Sequence, residues 1–77
     1  MNQQERILSI IQKISKKDVH PDPDESLFDA GYLDSFALPD MITALEQEFG
    51  IEVPDSDLNP RKFESIARIE TYLNNRL

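Results

Sequence analysis

The 77-residue chain contains no cysteine, so neither a disulfide nor a thiolate metal site is available to staple the fold. That absence suits the cytoplasm without fixing the compartment. There is a single histidine, His20, in a stretch rich in Pro and Asp, where a solvated loop residue is a better reading than a base or a metal ligand. No apolar run approaches the ~20 residues needed to span a bilayer. Gln3, Gln4, Glu5 and Arg6 interrupt any signal-peptide pattern at the start. Repeats and low-complexity tracts are also missing. Basic residues are in deficit, 8 against 15 acids for a net charge of −7. This argues against nucleic acid and anionic membrane surfaces and suits a basic protein partner. The expectation is one small cytoplasmic domain over residues 1–77, monomeric, with a modest core that buries about 60% of the surface of the unfolded chain.

What is present is helical periodicity. Ile7, Ile10, Ile11 and Ile14 form one stripe with Leu8 on its flank, predicting a first helix over residues 3–16. Lys13, Lys16 and Lys17 lie late in it, where positive charge suits a helix C-terminus. Residues 18–34 form a long connection in which Pro21 and Pro23 deny a regular helix. Leu27, Phe28 and Leu33 are expected to anchor it, around a short helical turn near Ser26 to Asp29. A connection of this length needs internal packing or a function.

The second helix is carried by Leu38, Ile42, Leu45 and Phe49, with Gly50 as its stop. Asp34 and Ser35 precede it, and both are good N-caps. Ser35 is therefore expected at a helix N-terminus, where unpaired N–H groups and the dipole favour a phosphate. Pro39 conflicts with a regular helix beginning at Ser35. Either the regular helix begins near Leu38, after a looser turn over Ser35 to Ala37, or Pro39 sits just inside a short irregular first turn. The capping pair slightly favours the second. Phe36 would point nearly opposite the stripe, so it either turns inward or stays exposed as a partner contact. Residues 55–63 are expected to hold one or two helical turns around Leu58 and Phe63, with Asp55 capping the first and Asn59 capping a second that has Pro60 at its first position. Ser65 is the expected N-cap of a last helix carried by Ile66, Ile69 and Leu73, ending near Asn75. The fold class is all-α, a small four-helix bundle of three longer helices and one short helix.

Two chemistries fail on residue patterns. A nucleophilic serine needs a positioned base and an orienting third group, and Ser35 lacks a Gly-x-Ser-x-Gly elbow. Asp55, Asp57 and Asn59 mimic the start of a calcium loop, but Pro60 and Ile66 stand where glycine and glutamate are required. Asp22, Asp24 and Ser26 fail in the same way, at Leu27 and Leu33.

The run LDSFALPDMITALEQEFGIEVP resembles the helix II region of acyl carrier proteins, and the resemblance extends through ESLFDAGYL upstream and NPRKFESIARIETYL downstream. It covers nearly the whole chain. The Asp-Ser-Phe version is similar to that of D-alanyl carrier proteins and other small stand-alone aminoacyl or acyl carriers. The resemblance implies an up-down-down arrangement of the longer helices and 4'-phosphopantetheine, drawn from coenzyme A, on Ser35 beside its motif neighbour Asp34. It also implies a non-catalytic chain whose partners are a phosphopantetheinyl transferase, a loading ligase or acyltransferase, and downstream acyl-processing enzymes with basic patches. Asp34, Phe36, Asp40, Met41, Glu46 and Glu48 are the candidate docking residues. The cargo stays open between D-alanine, another amino acid and a polyketide starter. A helical interaction module, with Ser35 only an N-cap, is the competing class.

Overall fold

A computed structural model describes residues 2–34 and 36–76. Three α-helices carry the fold: α1 (Gln3–Ser15), α2 (Leu38–Phe49) and α3 (Ile66–Arg76). Two 3-10 turns, Asp55–Asp57 and Pro60–Phe63, supply the helical turns expected over residues 55–63, in place of a single short fourth helix. No strand occurs among the described residues.

Each helix is delimited by local chemistry. Asn2 caps α1 through its side chain, which accepts from the Glu5 N–H at 2.8 Å. The helix stops at Lys16, whose left-handed backbone (φ 59°) is unusual for a residue with a side chain. Gly50 ends α2 in the same conformation at φ 65° and donates its N–H to the Glu46 carbonyl at 2.9 Å. Ser65 Oγ accepts from the Arg68 N–H at 3.2 Å, the expected cap of α3. Asn59 caps the second 3-10 turn as expected, accepting from Arg61 N–H at 2.9 Å, with Pro60 at its first position. Asp55 does not cap the first; it is that turn's opening residue, following extended Pro54.

Helix α1 packs against both α2 and α3 and runs antiparallel to each. At one end Arg6 meets Glu48 of α2, while Gln4 and Gln3 reach Glu70 and Asn74 of α3. At the other end Ile14 and Ser15 lie beside Leu33 and Ala37. The longer helices therefore run up-down-down. Ile7 and Ile11 of α1, Met41 and Leu45 of α2, and Ile69 and Leu73 of α3 are completely buried together with Leu27 and Phe63.

The long connection is held by its backbone as well as by apolar anchors. Leu27 donates its N–H to the Glu64 carbonyl at 2.7 Å and accepts from both Tyr32 and Leu33 at 3.0 Å. Ala67 donates to the Pro23 carbonyl at 2.9 Å. A turn closed by Ala30 N–H to Ser26 carbonyl occupies the expected place, and Leu27 and Leu33 are buried with Phe28 packed against them. This segment thus leads to residue 34 with little latitude.

A second anchor ties the 3-10 segment to α3. The Tyr72 hydroxyl donates to Asp57 Oδ2 at 2.8 Å, and Lys62 Nζ donates to Asp57 Oδ1 at 2.9 Å. The Tyr72 ring meets Phe63 at 4.9 Å between centroids. Partial burial, and then the Asp57 hydrogen bond, raise the Tyr72 ionisation above its ordinary value of 10.0. The unfolded chain gives up this proton first as pH rises, so the stabilisation is complete below pH 10 and is lost as pH climbs through the folded value. Urea unfolding at about pH 9 and about pH 11 should therefore show a larger stability loss in the native chain than in Tyr72→Phe. Parallel losses would remove this contribution.

Candidate functional site at the start of the second helix

Ser35, the attachment residue expected from the sequence, lies outside the described residues; both of its neighbours lie within them. Asp34 is exposed, and its Oδ1 accepts from the Ala37 N–H at 2.9 Å. The Asp34 carbonyl accepts from the same N–H at 3.0 Å. Ala37 in turn accepts from Met41 N–H at 3.0 Å, so the turn at residue 37 continues into the helix.

The regular helix begins at Leu38 with Ala37 as its cap position and Pro39 inside its first turn. This is the arrangement that the capping argument had ranked second. Pro39 lacks an N–H, which costs nothing in the first turn, where no intrahelical acceptor exists. Asp34 is not wasted, since it caps the preceding turn rather than the helix.

Phe36 is 88% exposed, which resolves its two expected positions in favour of solvent. Met41 requires a correction. It was a candidate docking residue, yet its side chain is completely buried. With Leu38, Ile42 and Leu45 it completes an i, i+3, i+4, i+7 face directed at the core, so it cannot touch a partner.

The acids divide into two groups. Asp34 and Asp40 are exposed near the start of α2. Glu46 and Glu48 lie toward its other end, and a 12-residue helix rises about 18 Å. Both have internal duties there. Glu46 Oε2 accepts from the Val53 N–H at 2.9 Å, fixing the exit from the helix. Glu48 is clamped by Arg6, whose Nε reaches Glu48 Oε2 at 2.7 Å and whose Nη2 reaches the Glu48 carbonyl at 2.7 Å. The same guanidinium lies 4.3 Å from the centre of the Phe49 ring. The sequence reading missed Arg6, because its partners lie more than forty positions away and no local pattern marks them.

Beside residue 34 is an open cavity of about 400 Å³ lined by Ile14, Phe28, Tyr32, Leu33, Asp34 and Ala37, among others. A phosphorylated, flexible substituent on residue 35 fits these surroundings. Asp34 and Phe36 on either side are exposed, and the first N–H groups of α2 are close in sequence. No cluster of His, Asp or Glu capable of holding a metal occurs among the described residues. His20 faces Asp18 at 3.2 Å on the exposed connection.

An antiparallel helix with two parallel partners, and a turn closed from Ala37 to Asp34 ahead of the second helix, give the up-down-down arrangement that the sequence resemblance implies. Residues 5–73 match the family model described as a phosphopantetheine attachment site, and the chain belongs to this family of phosphopantetheine-binding carrier proteins, whose cofactor is 4'-phosphopantetheine. The chain is 39% identical over 69 residues to the D-alanyl carrier protein of Streptococcus suis (strain 05ZYH33), a match covering 90% of this chain and 87% of the relative. It is 30% identical over 78 residues to the D-alanyl carrier protein of Lactobacillus acidophilus, covering 96% of this chain and 99% of the relative. D-alanyl carrier protein 2 of Lactiplantibacillus plantarum is 38% identical over 63 residues, covering 82% of this chain and 79% of the relative. No helix is long and apolar enough to cross a membrane among the described residues.

Proposed function

We propose that Ser35 carries the 4'-phosphopantetheine arm, and that the chain presents acyl or aminoacyl groups on it to partner enzymes in the cytoplasm. The observation that carries this reading is the exposure of Asp34 and Phe36 at a braced turn leading into α2, within a chain matched to the attachment-site family over residues 5–73. When attached, the arm supplies a terminal thiol that holds the cargo as a thioester. The chain's own contribution is positional. Asp34 fixes the turn through Ala37, the Leu27–Glu64 and Pro23–Ala67 hydrogen bonds fix the segment before it, and the burial of Met41 and Leu45 fixes the helix after it. Such a scaffold holds cargo at high local concentration without breaking bonds itself.

A D-alanyl cargo, destined for the cell envelope, is the finer reading, favoured by relatives that are named D-alanyl carrier proteins. On this reading the partners are a phosphopantetheinyl transferase, a ligase that activates D-alanine, and an enzyme that removes it. Incubation with coenzyme A, Mg²⁺ and a broad-specificity transferase should raise the intact mass by one arm. No gain would favour a helical interaction module instead. After loading by a D-alanine-activating ligase, a further gain of one alanyl unit from D-alanine and not L-alanine supports the finer reading; indifference to the stereoisomer removes it.

Docking is assigned to Asp34, Phe36 and Asp40, the exposed members of the candidate set near the start of α2. Basic patches on the partners would complement the acids. Asp40→Lys is expected to slow arm attachment roughly tenfold at low salt, and less at high salt, with an unchanged circular dichroism spectrum. Equal rates would take Asp40 out of the surface.

A further inference from the structure

The cavity beside residue 34 has walls from two elements. Ile14 and Ser15 at the end of α1 form one, and Phe28, Gly31, Tyr32 and Leu33 of the long connection form the other, joined by Asp34 and Ala37. The second wall is fixed by its backbone. Gly31 donates its N–H to the Phe28 carbonyl at 3.1 Å, and the Tyr32 and Leu33 N–H groups both reach the Leu27 carbonyl at 3.0 Å. Gly31 makes this turn with a left-handed backbone, φ 81°. The volume of about 400 Å³ falls within the range of small-molecule sites.

The lining is mixed in character. Ile14, Phe28, Tyr32 and Ala37 pack against the core but are only partly buried, so each keeps apolar surface outside it. Ser15 and Tyr32 add a hydroxyl each. Asp34 is the one charged residue among the lining, so net charge does not choose the occupant. Three further cavities lie away from this one, at Arg6 with Glu48, at Asn2 with Leu8, and at Tyr72 with Arg76. The core faces of α2 and α3 are closed, with Met41, Leu45, Ile69 and Leu73 completely buried. A group added at residue 35 therefore finds room on the side of α1 and the long connection.

We propose that this cavity is the resting site of the arm's first segment, the part next to its phosphate. The inference rests on the reading that Ser35 carries the arm, and deepens it by making Ile14, Phe28 and Tyr32 positioning residues. The tether and the lining together select the occupant. Beyond the phosphate, the arm begins with a carbon bearing two methyl groups, then a hydroxyl and an amide. The methyls suit the apolar surface of Ile14, Phe28 and Ala37, and the hydroxyl and amide suit the hydroxyls of Ser15 and Tyr32. A long alkyl chain would instead take water from those hydroxyls and from the Asp34 carboxylate without replacing it. Attachment at the adjacent residue also gives the arm a local concentration that a free ligand lacks. Walls held by hydrogen bonds need little rearrangement to receive it. The arm then leaves α2 in a preferred direction, toward the end of α1, with its thiol end free to reach a partner.

The test compares the ¹⁵N,¹³C-labelled full chain before and after arm attachment, with intact mass establishing complete conversion. Attachment is expected to move the amide signals of residues 14, 15, 28 and 31–33. The two methyl groups of the arm should show nuclear Overhauser contacts to the Phe28 and Tyr32 rings and to the Ile14 side chain. Ser15→Phe fills the cavity from α1 and, in folded protein bearing the arm, should erase those contacts. Ser15→Leu, a smaller filler, should weaken them in the same direction. Ser9→Phe makes the larger change at an exposed position of α1 that lines a different cavity, and should preserve them. Shifts confined to residues 34 and 36–38, no contact from the arm's methyls to Phe28 or Tyr32, or contacts unchanged in Ser15→Phe would overturn the proposal and leave the arm in solvent. Complete conversion without the contacts overturns this inference alone, whereas no mass gain overturns the attachment reading and this inference with it.

Discussion

Ser35→Ala is expected to abolish arm attachment altogether, with no mass gain under conditions that convert the native chain completely. Five other serines are present, at positions 9, 15, 26, 56 and 65, and three of them are already committed to the fold. Ser65 Oγ caps α3, Ser26 Oγ accepts from the Asp29 N–H at 3.1 Å, and Ser15 Oγ donates to the Gln12 carbonyl at 3.4 Å. None stands at the start of α2. A circular dichroism spectrum matching that of the native chain checks that the variant is folded. A mass gain retained in the variant would place the arm elsewhere.

Phe63→Ala is expected to have the largest effect on stability. Its side chain is completely buried and meets Tyr72, which in turn holds Asp57. Truncating a buried Phe costs about 3–5 kcal/mol through lost transfer energy and the cavity left behind. A 77-residue domain has roughly 4–12 kcal/mol in all, so much of the stability is at stake. The melting temperature should fall by on the order of 20 °C. Phe36→Ala is the control: at 88% exposure its removal should change stability by no more than about 0.5 kcal/mol, while slowing arm attachment if Phe36 contacts the transferase. Comparable destabilisation by both substitutions would mean that the burial assignment is wrong.

These two phenylalanines show what could be read from sequence. Phe63 stands between Lys62 and Glu64, and the sequence placed it with Leu58 only at the centre of a helical turn; the fold buries Phe63 completely and leaves Leu58 exposed. Phe36 could be narrowed only to two positions, because the register of the first turn depended on how Pro39 was accommodated. The helices were legible because each carries an apolar stripe with chemical stops at its ends, among them Gly50 after α2, Asn59-Pro60 at the second 3-10 turn and Ser65 before α3. Met41 was misplaced for a related reason. The stripe was drawn through Leu38, Ile42, Leu45 and Phe49, but the buried face is centred nearer Met41, and Phe49 is only half-buried beneath Arg6. Long-range polar pairs left no local signal at all. Arg6 with Glu48 and Tyr72 with Asp57 join residues 42 and 15 positions apart, and propensity, capping and periodicity do not reach that far.

Localising the arm on the chain is the most direct test of the account. Protein purified after treatment with coenzyme A and a transferase is digested and fragmented in the mass spectrometer. The account predicts the full added mass on the peptide containing Asp34, Ser35 and Phe36, assigned by fragment ions to Ser35. An unmodified peptide there, or added mass on any other serine, would contradict it.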